Sequence, residues 1–214
     1  TAEGWAEALH IGLQCWITGL DCEFDYSLIR PAGAVLKRKG GQASGHKPLQ
    51  EALDNTRRII LNRQGSVLST LNAHDIACWV GRCAASGGVR RAAMISLFSW
   101  DDDTMRKAKE GSVMANNEQR WYANNSIVFP DRTLSQLEIG SLMFEMYNGG
   151  TGEPGLFNRP KIYQALPKHR ATKNGDELIE FGVNPCGEVI LRPYEFCNLS
   201  AVVARADDTG NSLA

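Results

Sequence analysis

The stretch Asn184-Pro185-Cys186-Gly187-Glu188, followed by Cys197 within Glu195-Phe196-Cys197-Asn198-Leu199-Ser200, decides how the rest of the chain is read. Side chains alternate along an extended backbone. An extended reading therefore places Asn184, Cys186 and Glu188 on one edge, each roughly 6–7 Å from the next. Pro185 stiffens the backbone between them, and Gly187 admits the close approach of another group. The edge then offers an amide, a thiol and a carboxylate. Thiolate nucleophiles are activated by a cation or a helix N-terminus, whereas a carboxylate two residues away raises a thiol pKa. The set suits a neutral thiol that gives up a hydrogen atom while the carboxylate removes a proton from the same substrate. The plainer alternative is a core cysteine on a strand beside a surface glutamate.

The whole string resembles the active-site loop of ribonucleotide reductases. The short gap from Cys186 to Cys197 is similar to that of the adenosylcobalamin-dependent, class II enzymes, and nearest to their monomeric, triphosphate-reducing branch. The resemblance implies an α/β fold, part of a ten-stranded α/β barrel built from two half-barrels. The active-site finger loop would run through the barrel's centre and lie near the C-terminus of this chain. It implies that Cys186 becomes a thiyl radical and takes the 3′ hydrogen atom of a ribose. Glu188 would act as general base on the 3′ hydroxyl, and Asn184 would hydrogen-bond the ribose hydroxyls. Cys197 would be one of two thiols that supply electrons and end as a disulfide. Its partner in the family lies upstream of residue 1. The adenosylcobalamin contacts and much of the phosphate site are expected outside these residues too. A ribonucleoside triphosphate substrate, a deoxynucleotide effector and a thioredoxin-type or dithiol reductant complete the set of implied partners.

Length and composition agree with an ordinary globular domain. The chain has 214 residues, 43% hydrophobic and 22% charged, with a net charge of −1. That charge argues against a general nucleic-acid or membrane surface. Cysteines at 15, 22, 78, 83, 186 and 197 form no Cys-x-x-Cys pair and no zinc pattern, which predicts a reducing, cytoplasmic setting. The absence of an initial Met, and a polar stretch from Asp207 to Ala214, predict a fragment of a longer protein.

The remaining segments divide as residues 1–85, strand and helix units with a glycine-rich loop; 86–100, a specificity loop and strand; and 182–200, the active-site loop and a following strand. Trp5, Leu9, Leu13 and Trp16 repeat at helical spacing, with Thr1 placed to cap. Phe24–Ile29 is a candidate strand. Gly40-Gly41-Gln42-Ala43-Ser44-Gly45 is either a structural turn or a phosphate cradle, and it lacks the Walker-type lysine spacing. Helices are predicted over 48–62 and 71–85, with His74 and Asp75 near the start of the second as capping residues. Gly87, Gly88, Arg90 and Arg91 make a flexible cationic loop feeding a strand over 94–98. By the resemblance, this is the specificity loop between effector and substrate base. Further expectations are a short helix over 101–109 headed by Asp101-Asp102-Asp103, a strand over 126–129 and a helix over 133–147. A turn into a strand follows at 152–158, then a surface excursion of one or two short helices over 160–180. Glu3-Gly4-Trp5, Asn124-Asn125-Ser126 and Gly152-Glu153-Pro154-Gly155 are also similar to the family.

Alternating strands and helices predict parallel pairing. A partial barrel would leave open edges and uncovered apolar faces, and hence poor stability alone. Two other readings stay open. One is a class I, diphosphate-reducing large subunit, against which the short 186-to-197 gap counts. The other is a non-catalytic nucleotide-binding module using Arg90, Arg91 and the glycine loops.

Overall fold

The computed structural model describes residues 1–37, 40–86, 93–111, 115–173, 177–178, 180–198, 203, 205 and 209. The spacing of Trp5, Leu9, Leu13 and Trp16 winds the first segment into α1, Ala2–Ile17, whose N-cap Thr1 accepts a hydrogen bond from the Gly4 amide at 3.1 Å. α2, Lys47–Leu61, and α3, Thr70–Ala85, follow. The three pack through Trp16, Leu49, Leu53, Ile60 and Cys83, with Trp5, Leu9 and Trp79 around them. Each of the fully buried apolar side chains contributes about 1.5–3 kcal/mol.

The expected strand over Phe24–Ile29 is absent. Asp25 accepts from the Ser27 amide at 2.8 Å, and the Ile29 amide donates to the Tyr26 carbonyl at 3.0 Å. An aspartate turn of this kind competes with a strand ladder for the backbone. The alternating apolar residues serve helix packing instead, as in the edge-on contact of Phe24 with Trp16 at 6.2 Å. The expectation for His74 and Asp75 is also corrected. The cap of α3 is Ser69, which exchanges hydrogen bonds with Asn72. His74 and Asp75 point inward and are buried.

The parallel sheet is built from β1, Met94–Ser99, β2, Ala123–Val128, and β3, Gly155–Phe157, in that spatial order. Its register pairs Ile95 with Asn124, Ser96 with Asn125 and Phe98 with Ile127, then Ile127 with Leu156. Paired residues share a face, so the sheet has two distinct sides. Phe98 and Ile127 meet Met105 and Leu142 on one side, where Ser96 Oγ also lies 2.8 Å from His74 Nδ1 of α3. Leu97 and Val128 meet Phe157, Ile162, Phe181 and Val183 on the other. Helices thus cover one face and the segment after β3 covers the other, an α/β arrangement with parallel strands.

The helix Gln136–Gly149 is opened by a Ser135–Glu138 capping box and closed by Gly150 at φ 69°. It turns Leu142 inward but leaves Leu137, Phe144 and Tyr147 exposed. The acidic run gives a shorter helix than expected, Asp103–Arg106, with Asp102 as its cap. The excursion after β3 holds helices Arg159–Ala165 and Lys168–Ala171 and a two-residue strand pair, Thr172–Lys173 with Glu177–Leu178. No helix among the described residues is long and apolar enough to cross a membrane.

A polar network ties α3 to the start of β2. The buried Arg120 guanidinium donates to both Asp75 carboxylate oxygens, at 2.6 and 2.7 Å, and to the Ala108 carbonyl at 2.7 Å. Gln119 adds a bond to Asp75 at 3.1 Å. Lys109 pairs with Glu153 at 2.7 Å and donates to the Ala123 carbonyl. Paired in this way, the buried charges avoid most of the desolvation cost of an isolated ion.

Candidate active site

Strands β6, Gly182–Val183, and β7, Ile190–Leu191, pair antiparallel and carry Asn184–Val189 as the loop between them. (β4 and β5 are the pair Thr172–Lys173 and Glu177–Leu178.) The hairpin leans on the sheet face away from the helices. A Cβ added at Gly182 would stand 3.9 Å from Leu97 Cδ1.

The loop is not the extended edge expected from alternation. The Gly187 amide donates to the Asn184 carbonyl at 2.9 Å, so the chain reverses with Pro185 and Cys186 as the central residues. Asparagine, proline and glycine at the first, second and fourth positions are what such a turn favours. Gly187 has φ 83°, a left-handed conformation suited to glycine. The turn chemistry outweighs the two-residue alternation because the ladder between the two strands closes at Asn184 and Val189, which leaves only four residues to reverse the chain.

Asn184 closes the loop from within. Its amide donates to the Val189 carbonyl at 3.0 Å, and its Oδ1 accepts from the Val189 amide at 3.0 Å. The side chain is buried. Its Nδ2 makes no hydrogen bond among the described residues and remains a donor. Cys186 is exposed at the turn as a free thiol, with exposed Glu188 two residues on. Asn124 Nδ2, from β2, donates to the Pro185 carbonyl at 2.7 Å. Sequence reading left Asn124 without a role. The available signal was a polar residue one position out of step with the buried Ala123, Asn125 and Ile127.

Asn184, Cys186 and Glu188 therefore share one loop. Cys197 lies beyond β7, half-buried and free, after a turn in which Arg192 and Glu195 bond each other's backbone and side chain. The expected strand after the loop is only Ile190–Leu191. A cavity of about 360 Å³ lies at the hairpin's base, lined by Arg159, Phe181, Val183, Arg192 and Glu195. Its cations are engaged: Arg159 with Glu180 and the Phe181 carbonyl, Arg192 with the Arg170 carbonyl. Cys186 does not line it.

The other sequence candidates stand apart. Gly87, Gly88, Arg90 and Arg91 lie outside the described residues, between the end of α3 and the start of β1. In the glycine-rich loop Gly40–Gly45, the Gly40 and Ala43 amides donate to the Leu36 and Ala34 carbonyls and the Gly41 carbonyl accepts from Leu36, the bonding of a structural turn. Cys78 and Cys83 are buried, and burial pushes their thiols up to about 12 and about 11. Burial also pushes His74 down to about 4.

No family model matches the chain, and no solved structure matches it. Curated relatives do. It is 35% identical over 211 residues to the adenosylcobalamin-dependent ribonucleoside-triphosphate reductase of Lactobacillus leichmannii, covering 94% of this chain and 27% of that protein. It is 30% identical over 202 residues to the probable adenosylcobalamin-dependent ribonucleoside-triphosphate reductase of Dictyostelium discoideum, covering 92% of this chain and 26% of that protein. Along 94% of its length, then, the chain is homologous to adenosylcobalamin-dependent ribonucleoside-triphosphate reductases, of which it spans about 27%.

Proposed function

We propose that this chain belongs to the catalytic barrel of a class II ribonucleotide reductase and carries its radical cysteine. The observation that carries the reading is the Asn184–Val189 loop, which holds a buried amide, an exposed thiol and an exposed carboxylate on one closed turn. The homology to triphosphate reductases and the three parallel strands support it. In this reading the strands are consecutive members of the ten-stranded barrel and the hairpin is its finger loop.

Adenosylcobalamin, when bound, supplies the unpaired electron by homolysis of its cobalt–carbon bond. An exposed thiol at a loop tip fits that partner, since a bulky cofactor can reach Sγ. The groups that hold it are assigned to the other parts of the longer relatives. Cys186, as a thiyl radical, takes the 3′ hydrogen atom of a ribonucleoside triphosphate, breaking the C3′–H bond and forming S–H. Glu188 takes the 3′ hydroxyl proton, and Asn184 Nδ2 donates to a ribose hydroxyl and orients the sugar. The 2′ hydroxyl leaves as water. Two electrons and two protons come from Cys197 and a second thiol, which end as a disulfide. Cys186 then returns its hydrogen atom to C3′, and Glu188 returns its proton to the 3′ oxygen. Gly87, Gly88, Arg90 and Arg91 are assigned to the loop between the deoxynucleotide effector and the substrate, and a thioredoxin-type or dithiol donor resets the disulfide. The setting is cytoplasmic, where free thiols persist.

The test is deoxynucleotide formation from a ribonucleoside triphosphate with dithiol, with and without adenosylcobalamin, for wild type and Cys186→Ser. It uses the protein in its full reading frame. Product that requires both cofactor and Cys186 is the expected result. Product without the cofactor would move the protein to the diphosphate-type, class I reading. Product from Cys186→Ser would sink the mechanism.

A further inference from the structure

Three of the four bonds that shape the turn at Cys186 are internal to it: Gly187 amide to Asn184 carbonyl, Asn184 amide to Val189 carbonyl, and Val189 amide to Asn184 Oδ1. They give the loop its form but leave it free to tilt as a unit. The fourth is of another kind. Asn124 Nδ2 donates to the Pro185 carbonyl at 2.7 Å across 61 residues of sequence. Among the described bonds it alone joins this turn to the sheet.

The two ends of that bond make it a lever on the thiol. The Pro185 carbonyl belongs to the same peptide plane as the Cys186 amide. Holding that oxygen places the plane, and with it the Cys186 Cα; the Gly187-to-Asn184 bond of the turn restrains the rotation about N–Cα that then aims Cβ. At the other end, β2 is the central strand, hydrogen-bonded to β1 and β3. Asn124 is paired with Ile95, and its neighbours Ala123 and Asn125 are buried. It is therefore anchored on a strand that is hydrogen-bonded along both edges, and it reaches out on the loop's side.

We propose that Asn124 is a positioning residue for Cys186: its amide holds the Pro185 carbonyl and so sets where the thiol stands relative to substrate. The proposal rests on the reading of Cys186 as the reactive thiol. A hydrogen atom passes between sulfur and carbon only at contact distance, and misplacement by about 1 Å costs on the order of 100-fold in rate. The role needs a donor at this position. Asn124→Asp keeps the shape but puts a carboxylate against a carbonyl. Asn124→Gln keeps the donor on a side chain one methylene longer.

The test has two parts. Hydrogen exchange, followed by mass spectrometry of peptides spanning 184–189, should quicken about fivefold or more in Asn124→Asp and Asn124→Ala, the loss of one ordinary hydrogen bond. Exchange in β1 and the melting temperature should stay at wild-type values. Unchanged exchange over the loop would overturn the proposal. In the full-length protein with adenosylcobalamin, kcat should fall about 10- to 100-fold in Asn124→Asp with KM within about twofold, and Asn124→Gln should recover part of it. Quickened exchange with wild-type kcat would overturn the positioning role. Turnover by Cys186→Ser would defeat the catalytic reading instead, and the exchange result would still report whether Asn124 holds the turn.

Discussion

In the proposed reading, Asn184 divides its side chain between architecture and chemistry. Its Oδ1 is committed to the Val189 amide, and its Nδ2 is left to donate. Two substitutions separate the roles. Asn184→Ala strips the loop of a buried acceptor, leaving the Val189 amide unsatisfied at a cost of about 1–3 kcal/mol. Urea unfolding of that variant should show the loss. Asn184→Asp keeps an oxygen for Val189 and removes the donor, so it should melt near wild type while kcat falls. Equal melting losses in both variants would show that the donor, not the acceptor, supports the fold. Cys186 and Glu188 stood out as candidates through the whole string from Asn184 to Glu188 with Cys197 after it, and the structure gathers Asn184, Cys186 and Glu188 on one loop. Their geometry was not legible. Alternation and turn chemistry made opposite predictions for the same five residues, and proline with glycine favoured the turn. Asn124 stood out only within Asn124-Asn125-Ser126 and without a role, because its partner is a backbone carbonyl, which no side-chain pattern encodes.

At the scale of elements, hydrophobic period served well where the period itself is the cause. α1, α2, α3 and the parallel strands fall where Trp5, Leu53, Ile76 or the run Met94–Phe98 placed them, within a few residues. It failed at Phe24–Ile29, where apolar residues pack on helices from a turn; the capping expectation for His74 and Asp75 failed separately, because a strand and an arginine far along the chain dictate their burial. Gly12 gives a sharp test at this scale. A Cβ there would come within 2.5 Å of the Trp16 ring one turn on, and that ring is 1% exposed and cannot swing out. Helix propensity favours alanine over glycine by about 1 kcal/mol, while overpacking costs about 1–3 kcal/mol. Gly12→Ala should therefore lower the melting temperature, with altered Trp fluorescence. A rise in melting temperature would mean that α1 shifts freely on α2.

At the scale of the whole molecule, stability should follow acidity through His74. The ring is buried against Ser96, 2.8 Å away, and Cys78, 3.4 Å away. Burial lowers its pKa from 6.5 to about 4, Asp75 opposing the shift and Arg120 and Lys109 reinforcing it. The unfolded chain binds this proton first. The contribution is therefore full above pH 6.5, is lost as pH falls towards 4 and changes no further below that. The span amounts to about 3 kcal/mol. Urea unfolding at pH 7, 5.5 and 4 should show a steeper decline for wild type than for His74→Gln, and matching slopes would exclude His74 as the source. The adjacent asparagines of β2 have a different consequence, for folding fidelity. A one-residue slip would exchange the two faces of that strand. Because Asn124 and Asn125 are the same residue type, the slipped strand would still show an amide to the hairpin loop. The penalty for the error then falls on the place of Ile127 opposite Phe98, fully buried in the correct register and passed to the smaller Val128 by the slip. The register of β2 is then checked by side-chain volume under the helices, on the face turned away from the hairpin loop.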